Sequence, residues 1–164
     1  HQWAGIRPDV MPLAKGLGSG VPVGAVVTGP RALDVLGPGN HGTTFGGNPL
    51  AMRAGVETLR IMVEDGVMEN AATVGAQLKA GLQRELAGVA GVVEVRGEGL
   101  MLGIELDRPC GVLLGRAADA GLMLSVTADK VIRLVPPLIL SADEAAQIIA
   151  ILCPLVHAFL AEPA

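Results

Sequence analysis

Between Leu100 and Leu106 the large aliphatics fall at alternate positions, with Leu100, Leu102, Ile104 and Leu106 on one side and Met101, Gly103 and Glu105 on the other. Side chains alternate across a strand, so this run reads as a strand with one apolar face. Val92 to Arg96 reads as a second strand, joined to the first by the turn Gly97-Glu98-Gly99. Upstream the period changes. Val67, Ala71, Val74, Leu78, Leu82 and Leu86 recur at helical spacing, which predicts a helix over 67–86 with Lys79 among its solvated polar positions. Downstream, a short helix over 112–120 ends at Gly121, a C-cap candidate, and two strands cover 122–126 and 131–135. Ser141 and Glu144 form a capping box for a last helix running to Leu160, with a kink expected at Pro154. These elements describe a small α/β unit.

The first 48 residues have a different texture. Short apolar runs at Asp9 to Ala14 and Val21 to Val27 are divided by Gly16, Gly18 and Gly20, and read as strands buried on both faces. Asn48 as cap and Pro49 at the first helical position then open a helix that carries Arg53/Glu57 and Arg60/Glu64 at i,i+4 and ends at Asp65-Gly66. Two domains are expected, 1–86 and 87–164.

At 51% hydrophobic residues, 17% charged residues and a mean hydropathy of +0.53, the 164-residue chain is more apolar than a free-standing domain of its length requires. Part of that surface is expected to meet another chain or a further segment, and the chain is expected to be a fragment of a longer protein. The net charge of −4, with no basic run, argues against nucleic acid as a partner. The apolar window Ala145 to Ala161 contains Gln147, Pro154 and His157 and is shorter than a membrane span of about 20 apolar residues. It reads as a buried or interface helix. Cys110 and Cys153 lack metal or CxxC spacing and read as reduced, packed thiols of a cytoplasmic protein; the three histidines are scattered, so no metal site is expected.

The stretch LAKGLGSGVPVGA, residues 13–25, sets Lys15 at the end of an apolar run and before a Gly-rich turn. Only Lys15, Lys79 and Lys130 represent lysine in the chain, so the placement is not background charge. Reduced solvation favours the neutral amine, which can form a Schiff base with an aldehyde, and glycines let backbone approach a bulky ligand. The same pattern also fits a lysine that snorkels from a strand to water, and local chemistry leaves both readings standing. The GxGxG run at Gly16 to Gly20 lacks dinucleotide-site spacing, and Ser19 and Ser125 lack the His and Asp company of a nucleophile.

Two further groups bear on that choice. In NHGTTFGGNPL, residues 40–50, the hydroxyls of Thr43 and Thr44, two glycines and a helix start together suit a phosphate, although a glycine loop capped by Asn48 would look the same. In VIRLVPPLIL, Arg133 shares a strand face with Val131 and Val135, so part of its side chain is expected to be desolvated and to need an anion. A bound carboxylate and a structural ion pair with Glu105 or Glu98 satisfy that need equally.

Taken in order and spacing, RPDVMPLAKGLGSGVPVGAVV, NHGTTFGGNPLA, VRGEGLMLGIEL and VIRLVPPLIL resemble the class III pyridoxal-phosphate aminotransferases, nearest their acetylornithine branch. The resemblance covers essentially the whole chain. It implies the α/β fold of type I PLP-dependent transferases, with the end of the large cofactor-binding domain followed by the small C-terminal domain. It also implies pyridoxal 5′-phosphate as cofactor and a homodimer with shared active sites. Lys15 would match the lysine that holds the cofactor covalently and moves a proton at the substrate Cα. Thr44 would match the threonine that binds the cofactor phosphate of the neighbouring subunit, and Arg133 the arginine that grips the substrate α-carboxylate. The implied reaction is amino transfer between N2-acetylornithine and 2-oxoglutarate in arginine biosynthesis, with N-succinyl-diaminopimelate as a second substrate. Ornithine, succinylornithine or 4-aminobutyrate aminotransferases are the alternatives within the class, and a non-catalytic small-molecule binding domain is the alternative outside it. Since the family's other cofactor contacts match nothing in these residues, the segment alone is expected to be inactive or nearly so.

Overall fold

A computed structural model describes residues 1–2 and 4–163, in two compact units, His1–Asp65 and Gly66–Ala164. In the first unit, β1 (Val10–Leu13) and β2 (Ala25–Thr28) pair antiparallel, with Val10 opposite Thr28 and Leu13 opposite Ala25. A single 3₁₀ turn, Lys15–Gly18, follows β1 directly. Helix α1 (Pro49–Glu64) starts as its sequence dictates: the Asn48 side chain accepts from the Ala51 amide at 3.0 Å and Pro49 occupies the first position, where a missing N–H costs nothing. The 3₁₀ turn packs on α1, where Gly55 is buried and would bring a Cβ to 3.8 Å from the Leu17 carbonyl oxygen.

The expectation that both strands of this unit are buried on both faces is not met. Every residue of β2 is exposed, and among the described residues of the unit only Gly18, Ala51 and Gly55 are buried. A two-stranded ribbon and one helix supply no second layer to cover the strand faces, so Val26, Val27 and their neighbours stand open.

The second unit builds a core of its own. Helix α2 (Val67–Glu85) is followed by β3 (Val92–Glu98), β4 (Met101–Leu106), α3 (Leu113–Asp119), β5 (Ser125–Thr127), β6 (Val131–Leu134) and α4 (Ala142–Leu160). The four strands form an antiparallel sheet in the order β3-β4-β6-β5. As the alternation requires, Leu102, Ile104 and Leu106 of β4 are buried, joined by Ile132 and Leu134 of β6 and by Leu78, Leu82, Leu152 and Val156 of the helices. Each fully buried leucine contributes about 1.5–3 kcal/mol relative to an exposed one. Helix α2, expected to close the first domain, packs on α4 and β3 instead, so the boundary falls at Asp65–Gly66 and not after residue 86. The cause is the stripe Val67, Val74, Leu78, Leu82 and Leu86, which is buried in the second unit's core or, for Val67, buried at its start. Gly66, at φ 64°, supplies the left-handed residue that separates α1 from α2.

Helix α4 runs through Pro154 without interruption and opens on the expected capping box: the Glu144 amide donates to Ser141 Oγ at 3.2 Å, and the Ser141 amide to the Glu144 carboxylate at 2.8 Å. Its length and hydropathy would suit a membrane, but Ala145, Ile148, Leu152, Cys153, Val156 and Phe159 belong to the core cluster. Lys79, expected to be solvated, is half-buried and donates to the Gly97 carbonyl at 2.8 Å. One turn earlier, Gly75 lies so close to the β3–β4 turn that a Cβ there would sit 2.1 Å from the Gly99 carbonyl oxygen. Since the obstacle is backbone and not a flexible side chain, Gly75→Ala should destabilise the protein by about 3 kcal/mol in urea unfolding; a change below about 0.5 kcal/mol would show that α2 and the hairpin do not make this contact.

Candidate active site

Lys15 begins the 3₁₀ turn at φ 55°, a left-handed conformation that costs a residue with a Cβ on the order of 1 kcal/mol. Ser19, at φ 47°, ends the same turn. The turn between them depends on glycine: Gly18 is buried, and a Cβ on it would approach Val23 Cγ1 to 2.6 Å. A Cβ at Gly16 or Gly20 would meet nothing within 4 Å, so the space beside Lys15 is open in this chain. Lys15 is exposed, which departs from the desolvated setting expected of it, and its amine makes no ion pair or hydrogen bond among the described residues. An amine held on a strained turn, with open space around it and no acceptor to satisfy, is positioned to meet an electrophile.

The second loop is attached to the same helix. Thr43 Oγ1 accepts the Gly46 amide at 3.2 Å, and the Asn48 side-chain amide donates to the Phe45 carbonyl at 2.9 Å, which folds TTFGG into a tight turn ahead of α1. The bond engages the Thr43 hydroxyl oxygen, while the Thr44 hydroxyl is exposed without a partner among the described residues. The backbone amides of Thr44, Phe45 and Gly47 also donate no hydrogen bond among the described residues. A hollow of about 240 Å³ lies between Pro22–Gly24 and the Phe45–Asn48 loop, floored by Ala51 and Met52. The chain segment that follows Lys15 and the loop that carries Thr44 therefore border one depression. Unused amides, a free hydroxyl and the positive end of a 16-residue helix form a donor set that suits a phosphate.

Arg133 belongs to the second unit, on the sheet face opposite the helices. Ile132 and Leu134 point into the core as the strand reading requires, but Arg133 itself is exposed and not desolvated. The structural ion pair with Glu105 or Glu98 is absent among the described residues. Glu105 instead bridges Arg96 Nη1 at 2.7 Å and Lys130 Nζ at 3.1 Å. Arg133 Nε donates to Ser125 Oγ at 3.0 Å, and its terminal nitrogens make no bond among the described residues. A guanidinium presented in this way is open to a carboxylate in bidentate fashion. The sequence held no signal for the roles of Ser125, Arg96 or Lys79, because each depends on which positions stand opposite one another across strands and helices. Cys110 and Cys153 are free and buried, and burial pushes the Cys153 thiol up to about 11, so it stays protonated.

Comparison with known proteins agrees on one family. The family described as aminotransferase class-III matches residues 1–156. Acetylornithine aminotransferase 1 of Bordetella parapertussis is 59% identical over 162 residues, covering 99% of this chain and 41% of that protein. Acetylornithine aminotransferase of Nitrosomonas europaea is 45% identical over 159 residues, covering 97% and 40%. Among solved structures, ornithine delta-aminotransferase of Plasmodium falciparum superposes with a TM-score of 0.88 at 34% identity over 97% of this chain and 42% of that one. Acetylornithine aminotransferase from Elizabethkingia anophelis gives 0.87 at 28% identity, covering 96% and 43%. The chain thus spans about two fifths of the length of the relatives it matches.

Arg96, and after it Lys130, hold the Glu105 carboxyl below the ordinary glutamate value of 4.5. A lowered folded-state value means that the ionised carboxylate stabilises the fold above pH 4.5, and that this contribution is lost as the pH falls through the folded value. Titration of the Glu105 side chain by NMR should give a midpoint below 4.5 that rises in Arg96→Met. An unchanged midpoint in that variant would remove Arg96 as the main cause.

Proposed function

Because the chain belongs to the class III aminotransferase family, we propose that the protein transfers an amino group from N2-acetylornithine to 2-oxoglutarate in arginine biosynthesis, with N-succinyl-diaminopimelate as a second donor. The observation that carries this reading is the amine of Lys15, unpartnered among the described residues on a strained turn and bordered by open space. The names of the relatives, at up to 59% identity, favour acetylornithine over the ornithine of the 34% identical structural neighbour.

Pyridoxal phosphate, when bound, supplies an aldehyde for amines and a conjugated ring that accepts the electrons released at the substrate Cα. Lys15 has two tasks in this reading. Its amine would hold the cofactor covalently, and as a free base it would carry a proton between the substrate Cα and the cofactor C4′, in one direction in each half-reaction. Thr44 contributes its hydroxyl to the cofactor phosphate of the neighbouring subunit, together with the unused amides of its loop. Arg133 binds the α-carboxylate shared by amino donor and 2-oxo acid, which fixes Cα in place.

The protein acts as a homodimer in this account. Phe45 and Leu50, which flank Thr44 and open α1, are exposed apolar side chains of the kind that subunit interfaces cover. The cytoplasm is the proposed compartment, in keeping with the free thiols Cys110 and Cys153.

In the intact protein, Lys15→Ala should abolish the visible absorbance of the bound cofactor and its trapping by borohydride, and should lower kcat by at least about 10⁴-fold, the upper range for a lost acid–base group. Survival of the absorbance and the trapping would exclude Lys15 as the anchor and would favour a non-catalytic binding domain. Arg133→Ala should raise KM for both carboxylate substrates by roughly 10- to 100-fold, the cost of losing a charge-assisted pair. Mixing Lys15→Ala with Thr44→Ala subunits should restore one complete site per mixed dimer, and no recovery of activity would count against shared sites.

A further inference from the structure

The outer face of the second unit's sheet has an arrangement that bears on Arg133. Across one row of the sheet stand Ser125 on β5, Arg133 on β6, Gly103 on β4 and Arg96 on β3, each opposite the next in the strand register. Arg133 therefore has a hydroxyl on one side and no side chain on the other. Ser125 Oγ accepts Arg133 Nε at 3.0 Å, and the same hydroxyl donates to the Arg133 carbonyl at 3.4 Å. With its proton directed to that carbonyl, the hydroxyl keeps its lone pairs for the guanidinium. One of the five guanidinium N–H groups is thereby engaged, and it is the one on the shaft side of the fork.

The neighbouring carboxylate is withheld. Glu105 lies diagonal to Arg133, since it pairs with Val131 while Arg133 pairs with Gly103, and a diagonal neighbour is within reach of a long side chain. Both of its oxygens are taken, Oε2 by Arg96 and Oε1 by Lys130. The terminal nitrogens of Arg133 meet no anion of their own among the described residues.

We propose that Ser125 is a positioning residue for Arg133: by accepting Nε–H it orients the guanidinium so that its two terminal nitrogens face an incoming α-carboxylate. This inference rests on the reading of Arg133 given above. Its physical content is preorganisation. A long, exposed side chain otherwise loses rotamer freedom only when the substrate binds, and a side chain restrained beforehand loses less at that step. The effect should appear in binding and leave the chemical step alone.

In the intact protein, Ser125→Ala should raise KM for the amino acid donor and for the 2-oxo acid together, by about 3- to 10-fold, the range of one lost neutral hydrogen bond. The kcat should stay within about twofold. Ser125→Thr, which keeps the hydroxyl, should restore the original KM. An amine donor without an α-carboxylate should be used equally well by Ser125→Ala and by the unaltered protein, a result that general structural damage would not give. In an Arg133→Lys background, where no Nε–H exists, Ser125→Ala should change KM by less than about twofold. Unchanged KM in Ser125→Ala, failure of Ser125→Thr to restore it, an equal effect on the donor lacking a carboxylate, or a full effect in Arg133→Lys would each overturn the positioning role. If Arg133→Ala itself leaves KM unchanged, the assignment of Arg133 fails and the role of Ser125 falls with it; if Arg133→Ala raises KM and Ser125→Ala does not, only the positioning role fails.

Discussion

The alternation along β4 is the constraint on which the second unit depends. Leu102, Ile104 and Leu106 must leave water together, and α2 and α4 supply the apolar stripes that receive them. A strand cannot bury that face without presenting Met101, Gly103 and Glu105 on the other, and antiparallel pairing passes the same division to β6 and β3. The polar row of Ser125, Arg133, Gly103 and Arg96 is therefore a consequence of core packing. A slip of one residue in the β4–β6 register would turn Arg133 into the core, where an unpaired guanidinium is not tolerated. Burial of five aliphatic side chains on one face thus fixes the outward direction of the residue assigned to the carboxylate.

The first unit follows a different logic. Among its described residues Ala51 alone has a buried apolar side chain, and its elements are shaped by local devices: the Asn48 cap, the Thr43 bond to Gly46, and the left-handed Lys15 and Ser19 around Gly18. These devices cost backbone freedom without the return of a core, which is the pattern expected where loops are formed to meet a ligand. The exposed strand β2 and the half-covered β1 accord with a chain that spans about two fifths of its relatives.

What could be read from the sequence was what depends on short-range patterns. The helical stripe of α2, the alternation of β4, the caps at Asn48 and Ser141 and the placement of Arg133 on the strand face opposite Ile132 and Leu134 all follow from periodicity and local hydrogen bonding, whereas the exposure of Arg133 does not. Long-range pairing was not legible. The expected boundary after residue 86 differs from the division of the compact units at Asp65–Gly66 because a helix stripe states that a face is buried and not which unit buries it. Lys79 looked solvated because nothing local shows the Gly97 carbonyl within its reach. An ion pair of Arg133 with Glu105 or Glu98, one of the two readings that the sequence leaves open, is absent among the described residues, where Arg96 and Lys130 hold Glu105 across a register that sequence spacing does not display. The chemistry of Lys15 and Thr44 is ambiguous residue by residue, and only the resemblance carried by four motifs in one order points it toward cofactor binding.

The central claim is that Lys15, of the three lysines in this chain, is the covalent anchor. The most direct measurement is to reduce the intact, cofactor-loaded protein with borohydride, digest it and locate the added phosphopyridoxyl mass by peptide mass spectrometry. The account predicts a single stoichiometric label on the peptide that contains Lys15. A label at Lys79, at Lys130 or at a lysine outside these residues, with Lys15 unmodified, would contradict it.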